Sequence, residues 1–515
     1  MISNGTGQAG PGAGLLSLFD GPGRRHPPDG EYPPEYAMSV LRFAIAESNC
    51  LRLLEEQVNI TVIGAGYVGL ITAAGLAETG HRVICVDDDL GKIQLLNAGG
   101  MPFYEPGLEN LVKRSRAAKR LEFIARIEDA VAQGEVIFIC VGTPPLENGE
   151  ADLSSVELVA RRISAYARGY HLVIEKSTVP VQTGRRLQKH FSIYGDNSQA
   201  HYDIASNPEF LREGSGVEDF FHPDRIVVGV DSEKAAALLE EVYKPVLEQN
   251  FLCPIHENCG KRPHVPFVVT DINSAELIKH ASNSFLSMKI SFINMIADLC
   301  EAVGADAGKV AEAIGMDSRI GGSFLRPGIG FGGSCFPKDL QAFVRVGQSA
   351  GCDFTLLREV ERINQRRIDL FVAKVRNELW VVRGKRIGVW GLAFKPRTDD
   401  VRSAPALAII RRLAAEGAQV RAYDPHAMEK AKAQIPEIEY CADAYAAAEG
   451  ADAVLALTEW DEFLRLDLKK VRQIMARPLI FDGRNMFSCA AMAEHGFEYV
   501  DIGSASEARK QVLGR

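Results

Sequence analysis

Positive charge is in deficit in this chain: 58 Lys and Arg stand against 67 Asp and Glu, a formal net charge of −9 over 515 residues. General binding to nucleic acid needs clustered cations to neutralise phosphates, so no nucleic-acid partner is expected. Long hydrophobic runs are also missing. No uninterrupted apolar stretch approaches the roughly 20 residues that span a bilayer, and a composition 46% hydrophobic and 24% charged is that of a soluble globular protein with no membrane association. The ten cysteines form no short-range framework, and nothing at the N-terminus reads as a signal peptide. Both features suit a reducing compartment, so a cytoplasmic location is expected. The length leaves room for two or three domains, each with its own core.

Residues 1–57 open with the Gly/Pro-rich stretch "NGTGQAGPGAG", which cannot bury enough apolar surface to fold alone. They read as a partly disordered extension, with one helix over "AMSVLRFAIAESNCLRLLEE". From Asn59 an apolar strand, a glycine turn, a small-residue helix and a strand ending in acid make a βαβ unit, and further strands recur at "VIFICVGTP", "HLVIEKSTVP", "IASNPEF" and "DRIVVGV". The rhythm stops near Asp271, where repeated i, i+3, i+4 apolar spacing predicts a long helix, with more helix near 305–315 and 356–381. At Gly384 the βαβ order returns, with a glycine turn at Gly391 and a strand ending in Asp424. The expected class is α/β: two Rossmann-like doubly wound domains, over 58–265 and 382–515, joined by a helical central region over 266–381. Two nucleotide-sized sites follow from that reading.

Gly64, Gly66 and Gly69 form G-x-G-x-x-G between a strand and a helix, enclosing Tyr67 and Val68, so backbone amides can face a pyrophosphate. Asp87 ends the next strand, where a carboxylate accepts from a ribose and repels a 2′-phosphate, which favours NAD over NADP. Lys279 and Asn283 are four apart on the long helix and share a face. Such a pair is usually only a solvated face and gains weight from company. Glu209, Glu213 and Thr178 follow strands, where α/β sheets place chemistry and where carboxylates also cap helices. Cys335 lies in "GFGGSCFPKD", residues 330–339, where glycines let a substrate approach and Lys338 is the expected activator of the thiolate. Cys253, His256, Cys259 and His264 crowd "CPIHENCGKRPH", but their spacing matches no strong zinc pattern, so a surface loop and no metal are expected.

Together the 64–69 glycine turn, "EKSTVP", "SNPEFLREG", "ELIKHASNSF", "FLRPGIGFGGSCFPKD", "GLAFKPRTDDVRSAP", "TEWDEF" and "DGRNMF" resemble the UDP-glucose/GDP-mannose dehydrogenase family over roughly 58–505. The resemblance implies an NAD-dependent, four-electron oxidation of a sugar C6 hydroxyl to a carboxylate. It points to UDP-glucose becoming UDP-glucuronate, with GDP-mannose or a UDP-N-acetylhexosamine as the alternative substrate. By the same resemblance Cys335 carries a thiohemiacetal and then a thioester, Lys279 with Asn283 stabilises the C6 oxyanion, and Glu209 is the base for hydrolysis. Thr178 and Asp339 hold water or thiol. Lys92, Thr143, Thr178, Glu213, Lys338 and Arg402 are implied to contact the cofactor. Phe210, Leu211, the 326–332 loop (Arg326, Gly328, Gly330, Phe331, Gly332), Phe394, Lys395 and Arg484 are implied to hold the sugar nucleotide. Arg319 matches an arginine lent to a neighbouring subunit, which implies at least a homodimer with the long helix as its interface. A two-electron hydroxyacid dehydrogenase has no need of Cys335 or of a second nucleotide-like half, and a silent NAD-binding scaffold has no need of the acids and nucleophile. Three departures from the family stand out: the first 57 residues, a longer 253–265 segment, and Arg326 where some relatives carry Lys.

Overall fold

A computed structural model describes residues 57–194, 200–256, 259–260 and 262–504. The extension and helix expected within 1–57 lie outside the described residues, except for Gln57.

Continuous apolar runs such as VIFI form strands covered on both faces. Eight strands, β1 (Asn59–Ile63), β2 (Arg82–Val86), β3 (Leu121–Ile124), β4 (Val136–Ile139), β5 (Gly169–Glu175), β6 (Ala200–Ser206), β7 (Ile226–Gly229) and β8 (Phe267–Thr270), make one sheet. Its order is β3-β2-β1-β4-β5-β6-β7-β8. Every pairing is parallel except β6 with β7, which meet antiparallel at Ser206 and Gly229. The second sheet uses β9 (Arg386–Trp390), β10 (Gln419–Tyr423), β11 (Glu439–Tyr440), β12 (Ala453–Ala456), β13 (Leu479–Asp482) and β14 (Glu498–Val500) in the order β11-β10-β9-β12-β13-β14. Strand order reverses between β1 and β4 and again between β9 and β12, and the crevices at those points are where doubly wound sheets bind ligands. The first sheet runs past the expected limit at 265, because β8 supplies its edge strand. Only four residues long, FVVT is an edge strand with Val268 and Val269 exposed.

Between the sheets lies the long helix, Ile272–Val303. Asp271 caps it by accepting from the Ser274 amide at 3.0 Å, and it ends where Gly304 turns left-handed at φ 79°. Its 32 residues span about 48 Å. The helices Ala307–Gly315, Phe336–Ser349 and Thr355–Leu379 follow. Ala297 and Cys300 of the long helix belong to the same buried cluster as Trp390, so its C-terminal half is part of the second sheet's core. Among the described residues, no helix is long and apolar enough to cross a membrane.

Candidate active site

One cleft of about 1730 Å³ is lined by both halves and the central helices. The turn after β1 forms its cofactor end. Gly64 has φ +106°, and a Cβ on Gly69 would sit 1.8 Å from the Gly64 carbonyl oxygen, so the helix Tyr67–Glu78 can start this close to the strand only with glycine there. Gly66 caps that helix without a side chain, and a Cβ on it would meet nothing within 4 Å because it faces the open cleft. Uncapped amides at a helix N-terminus beside open space fit a pyrophosphate. Asp87, at the end of β2, accepts from the Ala65 amide at 2.7 Å and from Lys92 Nζ at 2.8 Å. The carboxylate is thereby held beside the turn, as NAD requires. Val68 lines the cleft, and so does Tyr67, whose hydroxyl donates to Glu105 at 2.9 Å.

Cys335 occupies the opposite wall, immediately before the helix Phe336–Ser349, with Ser334 Oγ 3.5 Å from its sulfur. Burial, then the Glu209 carboxylate, pushes its thiol up to about 11, and Lys279 acts against them. The expected activator was Lys338. In the structure that ammonium is committed elsewhere, 3.0 Å from Asp339 Oδ1 and donating to Thr143 Oγ1 at 3.3 Å, and Lys279 is the cation that favours the thiolate.

Lys279 donates to Glu209 Oε1 at 2.8 Å, with both side chains only 5% exposed. Burial alone would lower the lysine, but Glu209, Cys335 and Asp339 outweigh it and hold the ammonium above its ordinary value. The other oxygen of Glu209 accepts from the Leu211 amide at 2.6 Å, which fixes the carboxylate. One turn along the helix, Asn283 Nδ2 donates to Asp339 Oδ2 at 2.7 Å. Asp339 is buried and is not among the residues lining the cleft: its Oδ2 holds Asn283, and its Oδ1 lies 3.0 Å from Lys338 Nζ. Thr178 lines the cleft, and its carbonyl accepts from Thr143 Oγ1 at 2.8 Å. Phe210 lies under the Arg225 guanidinium, 3.7 Å from ring centre to cation.

The 326–332 loop carries Arg326, Gly328, Gly330, Phe331 and Gly332 into the cleft, together with Leu211, Phe394, Lys395, Arg402 and Arg484. Arg484 is partly spent as a tie: it donates to the carbonyls of Leu457, Gly330 and Phe394 at 2.9, 3.1 and 2.8 Å, locking the loop onto the second sheet. Glu213 accepts from Ser334 Oγ at 3.1 Å and lies 3.5 Å from Arg402. Burial, then Asp400, raises it to about 7. Asp424 has the sequence position that Asp87 has in the first half, but it is fully buried and accepts from the amides of Leu392, Ala393, His426 and Ala427. It holds the turn together and is no free nucleotide ligand. The two expected nucleotide sites open into one continuous cleft that both halves line.

Arg319 is outside this cleft. Its side chain is 87% exposed and paired with Asp317. Lys289 Nζ donates to the carbonyls of Ile320 and Gly321, both at 3.0 Å, and seats that turn on the long helix.

Lys176 is a cleft residue that the motifs did not single out. Its ammonium donates to Asn207 Oδ1 at 2.9 Å, and burial lowers it to about 8. A lysine closing a buried apolar strand, as in "VIEKSTVP", was the available signal. The 253–264 segment also differs from expectation: Cys253, His256 and Cys259 converge with His222, and His264 is not in that group.

Models of three domains of the UDP-glucose/GDP-mannose dehydrogenase family match the chain in order. They are the NAD binding domain over 58–247, the central domain over 273–366 and the UDP binding domain over 388–488. The chain is 46% identical over 447 residues to UDP-glucose 6-dehydrogenase TuaD of Bacillus subtilis, covering 86% of this chain and 93% of that protein. To the UDP-glucose 6-dehydrogenase of Rhizobium meliloti it is 45% identical over 449 residues, covering 86% and 99%. A UDP-glucose dehydrogenase structure from the archaeon Pyrobaculum islandicum aligns with a TM-score of 0.78 at 39% identity, covering 87% of this chain and 98% of that one.

Proposed function

Since the chain belongs to the UDP-glucose/GDP-mannose dehydrogenase family, we propose that it oxidises UDP-glucose to UDP-glucuronate, each sugar giving up two hydrides. NAD, when bound, supplies the hydride acceptor. The observation that carries the reading is a part-buried cysteine that lines the cleft at a helix N-terminus, electrostatically coupled to the Lys279–Glu209 ion pair.

In the first oxidation C6 loses a hydride, its hydroxyl proton passes to water beside Thr178, and Lys279 stabilises the charge that develops on the oxygen. The Cys335 sulfur then bonds to the aldehyde carbon, and the thiol proton ends on oxygen as a thiohemiacetal. Loss of the second hydride and of that hydroxyl proton leaves a thioester. Glu209 takes a proton from water as the water attacks C6, the C–S bond breaks, and sulfur leaves as thiolate or thiol. Asn283, fixed by Asp339, places the oxygen. The 326–332 loop and Arg326 close over the sugar, while Phe394, Lys395 and Arg484 lie against the uridine diphosphate. Thr143, Lys338, Glu213 and Arg402 lie toward the cofactor.

The active unit in this reading is at least a dimer. Leu277, Phe285, Phe292, Leu299 and Val303 leave an apolar stripe on the long helix, each more than 40% exposed, which a second copy would cover. Arg319 is exposed on a turn seated on that helix, which supports its role as an arginine lent to the partner's substrate. A cytoplasmic location belongs to the same reading, supported by nine free cysteines among the described residues.

The test is NADH formed per limiting UDP-glucose by the purified protein. About two per sugar is expected. About one refutes the thioester route, and turnover confined to GDP-mannose or a UDP-N-acetylhexosamine refutes the substrate.

A further inference from the structure

His222 ends the short helix Gly216–Phe221, and its ring meets a segment whose cysteines begin 31 residues later. His222 Nε2 lies 3.3 Å from Cys253 Sγ and 3.5 Å from Cys259 Sγ, and Cys253 Sγ lies 3.5 Å from His256 Nδ1. All four ligand atoms fall within 4.8 Å of one another. A tetrahedral zinc with Zn–S of about 2.3 Å and Zn–N of about 2.0–2.1 Å has N···S edges of about 3.5 Å, which the three separations match.

Hydrogen bonding alone does not account for this group. Gln249 Nε2 donates to the carbonyls of Phe221 and Val246 at 2.9 and 2.7 Å, so Gln249 Oε1 is the acceptor that faces His222 Nδ1 at 2.6 Å. Nδ1 therefore carries the proton, and Nε2 presents one lone pair to two sulfurs. One lone pair serves only one thiol proton, whereas one cation serves both sulfurs. Nε2 is thus fixed as a ligand atom by an outer hydrogen bond, as metal-bound histidines commonly are. On the second histidine, Nδ1 faces the sulfur, and Nε2 lies on the far side of the ring, 3.7 Å from Glu218 Oε1. The His256 amide also donates to Cys253 Sγ at 3.4 Å, a contact that favours a thiolate there.

We propose that His222, Cys253, His256 and Cys259 form a closed tetrahedral zinc site that ties Cys253, His256 and Cys259 to the end of the helix Gly216–Phe221. Four protein ligands leave no open position, so the ion is structural and takes no part in the oxidation. The site adjoins the cleft through His222, which lines it, and through Arg225, three residues on, whose guanidinium covers Phe210.

The experiment measures metal in the full chain purified without added metal, by inductively coupled plasma mass spectrometry. About one zinc per chain is expected. Cys253→Ser/Cys259→Ser should fall below about a tenth of that, while His264→Ala keeps it. If the double variant does not fold, cobalt exchanged into the wild-type chain decides the question: intense visible bands with thiolate charge transfer support the site, and the weak spectrum of octahedral cobalt overturns it. Zinc below about a tenth per chain after incubation with zinc chloride and desalting also overturns it. So does zinc unchanged in the folded double variant, or a Cys253–Cys259 disulfide in the non-reduced peptide map.

Discussion

Glu209→Gln preserves the shape of the site and removes one charge, so it separates two jobs given to this carboxylate. After burial, Glu209 is the largest influence raising the Cys335 thiol to about 11. Removing this like charge should lower the variant's thiol from about 11. Thiolate nucleophilicity falls with a Brønsted slope of about 0.4–0.5, which cancels roughly half of the gain in thiolate fraction. Alkylation of Cys335 by iodoacetamide at pH 8 should therefore speed up about three- to tenfold. Turnover should fail, because the water that releases the product has lost its base. Mixed with saturating NAD and UDP-glucose, the variant should form about two NADH per chain in a burst and then run about 100- to 1000-fold more slowly than wild type. Intact-mass measurement should find the sugar nucleotide attached to the chain, and the bond should be cleaved by hydroxylamine. Steady turnover near the wild-type rate without a burst, or alkylation slower than wild type, would refute both the base assignment and the electrostatic account of the thiol.

Cys335→Ser should stop the second oxidation, lowering the NADH yield to at most about one per UDP-glucose and kcat by at least about 1000-fold, as read in a limiting-substrate assay. Asp87→Asn removes the charge that repels a 2′-phosphate and frees Lys92 from its 2.8 Å ion pair. The ratio of kcat/KM for NADP to that for NAD should accordingly rise about 10- to 100-fold. Glu213 is raised from 4.5 to about 7, so its protonated form is the one the fold favours. The stability it contributes is fully present below about 4.5 and is lost as pH rises through about 7. Glu213→Gln, neutral throughout, should show a smaller fall in unfolding free energy across that window in urea titrations, and an equal or larger fall contradicts the assignment.

Local signals carried much of the architecture. The glycine turn, the alternation of apolar strands with helices and the unbroken spacing after Asp271 each depend on neighbours within a few residues, and each appears where its pattern lies. Partnerships between distant residues were harder to read. Lys338 is three residues from Cys335 in sequence, yet its ammonium is taken by Asp339, and the influential cation is Lys279, brought in by the long helix. Asp424 has the local pattern of a ribose ligand, but five N–H groups, including the Trp460 indole at 3.1 Å, converge on it once the second half folds. His222 could not be grouped with Cys253 by spacing, because the helix that ends at His222 and the segment that follows Gln249 meet only through packing.

The Lys279–Glu209 bond is also a mechanical joint. Glu209 follows β6 in the first sheet, whereas Lys279 lies on a helix whose far end is built into the second half. On that helix Asn294 Oδ1 accepts from the Gly328 amide at 2.8 Å, Arg367 ties the Gly328 carbonyl to Asp298, and the Gly483 carbonyl accepts from the Ile329 amide at 3.0 Å. The sugar loop therefore shares a rigid frame with the long helix and the second sheet, while the cofactor turn belongs to the first. Distance from a bound sugar to the cofactor turn is then set by contacts that cross between these frames, and this buried ion pair is one of them. Breaking it by Lys279→Met leaves Glu209 buried without a cation, at a cost of about 3–5 kcal/mol. The same change lets the two frames shift relative to each other, so the damage to hydride transfer should exceed what the loss of oxyanion stabilisation alone accounts for.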